Sequence, residues 1–224
     1  MPASRRSGRA ARSYHHGDLR RALLEHSLAL VAARGPSEWT LREAATRAGV
    51  SSAAAYRHFA DKNDLMVVLA IESFELFGIA LSAAEEAAED GDDGLLAMAN
   101  RYLQFGAREP VRYSLMFGGW LPPDADVRLT EAGAAAFQIV VDRAADARWT
   151  PGEARRLAQR LWAWCHGVTS LVIAQVLLPG KTAGDPSVRK LLEAGVRDLL
   201  GSSGVPAKAR SLTRRPERST HEAK

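Results

Sequence analysis

The chain has 224 residues, 46% hydrophobic and 25% charged, enough for one large or two small packed domains. Its one cysteine, Cys165, excludes an internal disulfide and a cysteine zinc cluster, and no apolar run reaches the roughly 18 residues of a membrane span. Charge is uneven, with 11 Lys/Arg against 5 Asp/Glu over 1–62, 13 against 19 over 63–200 and 6 against 2 over 201–224, which fits either a basic head that meets a polyanion or solvated basic ends.

Residues 1–14 read as a flexible basic arm, with Arg5, Arg6, Arg9 and Arg12 lying either along a polyanion or in solvent. The Arg-rich opening, with no apolar stretch behind it, predicts no secretory signal and a cytoplasmic protein. His15 and His16 read as caps or phosphate neighbours, because two adjacent imidazoles make a poor metal site. Apolar residues at helical spacing predict a first helix from about Asp18 to Arg34, stopped by Gly35 and Pro36. Thr40 with Glu43 three residues on predicts a capping box for a short second helix. Gly49 ends that helix in a left-handed turn. Ser51 or Ser52 caps a third helix to about Phe59, and Asp61 and Asp64 open a long fourth to about Glu89.

The loop 89–94 has calcium-like acids but lacks the Glu that would close the coordination shell. Further helices are predicted over 94–108, 111–117, 124–148, 151–178 and 186–200. No β-alternation and no repeat occurs, so the fold class is all-α. Residues 201–224 are Ser-, Arg- and Pro-rich and read as a disordered tail.

The stretch 40–62, TLREAATRAGVSSAAAYRHFADK, carries the strongest signal. Two short helices crossing steeply need small residues where they meet. Ala45, Gly49 and Ala55 sit at those places, with Val50 as a plug. Leu41, Phe59 and Leu65 would complete a small core with the first helix. A generic helical hairpin has the same minimum requirements, so the residues around it matter.

The string TLREAATRAGVSSAAAYRHFADKNDL resembles the tetracycline-repressor family over about residues 15–70. The likeness lies in its Thr, Ala, Gly-Val-Ser, Tyr-x-x-Phe and following Lys. It implies a helix-turn-helix at about 39–58 within a DNA-binding domain over 15–64. It also implies a ligand-binding and dimerisation domain over 65–200. Carried over, phosphate contacts fall on Thr40, Tyr56, His58 and Lys62. Base readout falls on the third helix, at Ser52, Ala53, Ala54 and Arg57 beside Ser51, with Arg42 from the second. Arg57 fits a guanine edge and a phosphate equally. Three consecutive alanines leave few long polar side chains for bases, so DNA shape is expected to carry part of the specificity.

Aromatic and soft residues gather in the second unit: Met98, Tyr102, Phe105, Tyr113, Met116, Phe117, Trp120, Phe137, Trp162 and Trp164. They suit an ordinary core or a partly apolar pocket. The pocket expected from them is Met98, Tyr102, Phe105, Met116, Phe117, Trp120, Phe137, Trp164 and His166. Trp164-Cys165-His166-Gly167 is similar to the signature of a Trp-His-Gly branch of the same family. Gly167 costs about 1 kcal/mol in a helix relative to Ala. It therefore implies a close helix approach or room for a ligand. His166 would bond an inducer or a backbone carbonyl. Adjacent helical residues point apart, so Cys165 and His166 are no nucleophile–base pair.

The last two helices carry apolar stripes: Leu157, Leu161, Trp164, Val168, Leu171, Val172 and Gln175, then Val188, Leu191, Leu192, Val196 and Leu199. They close one subunit or, as the resemblance implies, pair with a second copy in a homodimer. The resemblance implies a repressor on a palindromic double-stranded operator, released by a partly apolar small-molecule inducer that tilts the fourth helix near Phe74 and Phe77. A DNA-binding regulator or activator without an inducer shares the same head. A small helical enzyme is the remote third reading. No catalytic set, metal site or cofactor is expected, and no membrane partner.

Overall fold

The computed structural model describes residues 16–88, 91–121, 126–147 and 149–202. The arm 1–14, the side chains of His15 and His16, Asp90 of the acidic loop and the chain beyond Ser202 lie outside the described residues. Among those described, every regular element is a helix. They are α1 (His16–Arg34), α2 (Leu41–Arg47), α3 (Ser52–Tyr56), α4 (Lys62–Glu86), α5 (Gly91–Arg108), α6 (Pro110–Phe117), α7 (Val127–Ala147), α8 (Pro151–Ile173) and α9 (Pro186–Ser202).

Helix ends follow local chemistry. Gly35 (φ +79°) closes α1 and donates to the Val31 carbonyl. Thr40 sits in extended backbone and accepts from the Glu43 N–H at 3.2 Å. Only half of the expected capping box forms there. The Glu43 carboxylate accepts from Arg34 instead, which fastens the end of α1 to α2. At α4 the exchange is reciprocal: Asp61 accepts from Asp64 N–H at 2.8 Å, and Asp64 accepts from Ala60 N–H at 2.9 Å. α9 runs through Ser202, two residues into the expected tail.

α8 stops five residues before the expected Leu178. Gln175 and Leu178 take φ of 58° and 55°. The Gln175 amide stitches the turn, donating to the carbonyls of Val172 and Lys181 and accepting from Gly180 N–H at 2.9 Å. Gln175 therefore does not continue the helical stripe. Its amide stabilises left-handed backbone that a non-glycine residue seldom adopts.

Two cores form. The head core holds Leu23, Leu30, Trp39, Leu41, Ala45, Phe59 and Leu65. The body core holds Phe77, Leu81, Leu95, Leu103, Leu157 and Leu192. α4 belongs to both. Leu65, Met66, Val68, Leu69 and Ala70 pack in the head, and Phe74, Phe77 and Leu81 pack in the body. The head thus reaches six residues past the expected boundary at 64. By length and composition alone α4 would pass for a membrane span, but most of its apolar residues serve these two cores, with Leu76 and Ile79 exposed.

The stripes on α8 and α9 mostly close a single chain. Leu157, Leu161, Val168, Val172, Val188, Leu192 and Val196 are buried in its own body core. Leu191 and Leu199 are half-buried, and Leu171 and Gln175 are exposed. The outward side of α8 carries Ala163, Leu171 and Ala174, with half-buried Gly167 between them.

Candidate functional site

The head is built so that α3 stands clear of its own core. Ala44 and Ala45 of α2, its C-cap Ala48 and Ala55 of α3 are buried, and their methyl groups let the short helices cross closely. Gly49 (φ +72°) makes the turn, and Val50 N–H bonds back to the Ala45 carbonyl at 3.0 Å. Ser51 caps α3 by accepting from Ala54 N–H at 3.2 Å.

This packing leaves Arg42, Ser51, Ala53, Tyr56 and Arg57 exposed, with Ser52, Ala54 and His58 half-buried beside them. The expected base-reading and phosphate-facing residues of α2 and α3 are therefore all at least partly open to solvent. Thr40 and Ser51 spend an oxygen lone pair on the caps and keep the hydroxyl proton, which suits donation to a phosphate oxygen.

Lys62 stands differently. Its ammonium donates to the Ser37 carbonyl at 2.9 Å and lies 4.8 Å from the centroid of the Trp39 ring. Partial burial holds its pKa below the ordinary lysine value. Lys62 thus ties the α1–α2 loop to the start of α4, and two of its three donors are left over from the Ser37 bond.

The body gathers an aromatic cage. Phe77 contacts Tyr102 edge-on at 4.9 Å, Phe105 at 5.1 Å and Trp162 at 5.7 Å. Phe117 meets His166 at 4.8 Å and Tyr113 at 5.0 Å, and Phe137 meets Trp162 at 5.6 Å. At one pole lie four polar groups. The hydroxyls of Tyr113 and Tyr102 stand 2.8 Å and 3.1 Å from His166 Nδ1. Ser170 Oγ lies 3.0 Å from Tyr113 Oη and 3.4 Å from His166 Nε2.

Burial lowers the His166 pKa, so the imidazole is neutral, and it raises those of both phenols. The Cys165 thiol, buried on the same helix, is pushed up to about 12, which leaves it unreactive. A void of about 20 Å³ lies among Met98, Tyr102, Trp162 and Cys165.

Of the expected pocket, Met98, Tyr102, Phe105, Phe117, Phe137 and His166 come together here. Met116 packs on the body core nearby. Trp120 and Trp164 do not join. Trp120 is 46% exposed, donates to Ser114 Oγ at 3.0 Å and lines a surface cleft with Ser37 and Lys62. Gly119 (φ +68°) carries the chain out of the cage just before it. Trp164 faces α9, where its indole N–H donates to the Leu192 carbonyl at 3.0 Å above Gly195. Gly167 has open space where a side chain would sit, so no described helix approaches it closely. Ser170 was not expected, although its place four residues after His166 puts both on one helical face. Among the described residues no group of three or more His, Cys, Asp or Glu is arranged to hold a metal.

Two family descriptions match the chain. Residues 23–69 match "Bacterial regulatory proteins, tetR family", and residues 95–199 match "Tetracyclin repressor-like, C-terminal domain". The fold is similar to that of a protein with unknown function from Rhodococcus sp. RHA1, at 32% identity and TM-score 0.73, over 84% of this chain and 96% of that one. It is also similar to the protein SCO4313, at 27% identity and TM-score 0.69, over 86% and 100%. A TetR family transcription regulator from Marinobacter aquaeolei VT8 shares the fold at 18% identity and TM-score 0.60, over 81% and 94%. No curated protein matches the chain.

Proposed function

We propose, from the premise that the chain belongs to the tetracycline-repressor family of bacterial regulatory proteins, that it represses transcription from a near-palindromic operator and lets go when a small molecule enters the aromatic cage. Two heads of a homodimer would place their α3 helices in successive major grooves, about 34–36 Å apart. Thr40, Ser51, Tyr56, His58 and Lys62 supply phosphate contacts that set register. Arg42, Ser52, Ala53, Ala54 and Arg57 face base edges. Exposure of this side of the head supports those roles.

The observation that carries the switch is α6. Tyr113 and Phe117 on this short helix enter the cage, while Leu115 between them is 6% exposed in the head core. Anything that displaces the cage side of α6 shifts Leu115 against α1 and α4. A small molecule moves the equilibrium only if it binds the shifted state more tightly. The branch assignment rests on Trp164, His166 and Gly167 alone, and their scattered placement gives it no added support.

The test is fluorescence anisotropy with DNA upstream of the protein's own gene, across a salt series. Saturable binding with a steep salt slope, weakened by Tyr56→Ala, is the expected result. Binding that ignores salt would remove the DNA assignment. A regulator without an inducer is favoured by one observation, the close ring packing of the cage, with Phe117 4.8 Å from His166 and 5.0 Å from Tyr113. Leu115→Ala separates the two: it uncouples small-molecule release in the first case and has nothing to uncouple in the second.

A further inference from the structure

The polar pole of the cage has a definite proton balance. It holds four protons, one on each hydroxyl of Tyr102, Tyr113 and Ser170 and one on the neutral imidazole. Tyr113 has the shorter approach to Nδ1, 2.8 Å against 3.1 Å for Tyr102. With the imidazole proton on Nε2, a ring closes. Tyr113 donates to Nδ1, Nε2–H points to Ser170 Oγ at 3.4 Å, and Ser170 donates to Tyr113 Oη at 3.0 Å. The Tyr102 hydroxyl, 3.1 Å from Nδ1, shares that single lone pair with Tyr113 as the longer arm of a bifurcated contact. All four protons are used within the cluster, while the Tyr102 oxygen accepts from no described residue. In that tautomer the pole keeps a spare acceptor on Tyr102 and no spare donor, the Tyr113 hydroxyl also lying 3.4 Å from the His166 carbonyl.

Its surroundings exclude charge. Among the described residues no Lys, Arg, Asp or Glu shares a hydrogen bond with the cluster, and the guanidinium of Arg155 lies on Phe137, 5.7 Å from that ring's centroid. An anion or ammonium taken inside would be desolvated without a partner.

Room is limited too. The void of about 20 Å³, room for a single water, lies on the Leu95 and Val140 side of Tyr102 and Trp162 and not beside Phe117, while rings crowd Phe117 at 4.8–5.6 Å, so a ring entering beside His166 must replace a ring. Phe117 is the side chain placed to yield. It is half-buried, ends α6, and is followed by Gly118 and Gly119, the latter at φ +68°. Its neighbours His166, Tyr113 and Phe74, at 4.8, 5.0 and 5.6 Å, would meet any ring that took its place.

We infer that the cage selects uncharged planar aromatics bearing an O–H or N–H donor, of the phenol class, which seat in place of the Phe117 ring and donate to the Tyr102 oxygen. This rests on the cage being the effector site. Isothermal titration of the full chain with phenol, toluene, benzoate and benzyltrimethylammonium tests it. Phenol binds most tightly, roughly fivefold above toluene for one added hydrogen bond, and neither ion saturates. Phe117→Ala vacates the seat and tightens both neutral probes several-fold, and Phe117→Leu does so less. Tyr102→Phe abolishes the preference for phenol over toluene.

Benzoate binding as tightly as phenol, weaker phenol binding in both Phe117 variants, or an unchanged phenol preference in Tyr102→Phe overturns the inference. The DNA assay is read separately. Phenol that binds without changing operator affinity refutes the switch and leaves the ligand class standing. Operator release by benzoate alone refutes the class and leaves the switch.

Discussion

A methyl group on Gly195 of α9 would fall 2.6 Å from Trp164 Nε1 and closer still to Cε2 and Cζ2. Ordinary contact begins near 3.4 Å, so Gly195→Ala forces the indole or α9 to move by about an ångström. The indole is rigid and anchored by its bond to the Leu192 carbonyl. Overpacking of this kind costs roughly 1–3 kcal/mol, and loosening the bond adds about 1 kcal/mol. Replacing a helical glycine by alanine returns about 1 kcal/mol. The net expectation is a loss of about 1–3 kcal/mol. That corresponds to a Tm fall of roughly 2–4 °C per kcal/mol for a chain of this size. Gly167→Ala is the internal comparison, because nothing lies within 4 Å of its added carbon. Urea denaturation followed by circular dichroism should place the two variants on opposite sides of the parent. A Gly195→Ala protein as stable as the parent would refute the packing argument.

Arg57→Ala should cost roughly 1–3 kcal/mol of operator affinity and relax preference at one base pair, if it reads a guanine edge. A uniform loss across sequences would make it a phosphate contact. Lys62→Met should lower the salt slope by about one, and an unchanged slope would confine Lys62 to holding Ser37 and Trp39. Because burial depresses the folded His166 pKa below its ordinary 6.5, the unfolded chain takes up a proton that the folded chain resists. Stability should therefore fall as pH drops through about 6.5. His166→Gln should flatten that part of the profile in pH-dependent melting. Cys165, with its thiol pushed up to about 12, should react with an aromatic disulfide reagent only as fast as the fold opens, and rapid labelling of the native protein would contradict its burial.

The head was legible because its constraints are local. Small residues at Ala45 and Ala55, left-handed glycines at 35 and 49 and the caps at Thr40 and Asp61 act within a few residues of one another. The cage was legible in part. Composition pointed to its aromatics, but a ring's direction depends on which helix lies opposite. Trp164 looked equivalent to Trp162 two positions away, yet on a helix that spacing turns one toward the cage and the other toward α9. Trp120 left the cage because of backbone conformation at Gly119, a tertiary matter. Gln175 and Glu43 matched helical templates, but their side chains found better partners across a turn or on another helix.

Leu65 through Ala70 belong to the head although they begin the longest rod of the body. A chimera that grafts a foreign reader onto this chassis cannot be spliced at residue 64 without stripping the reader of one wall. The workable seam lies beyond Ala70, at Ile71 and Glu72, which are less deeply buried. Because the rod passes through both halves without interruption, melting of one half should spread to the other, and calorimetry should record a single joint transition instead of two.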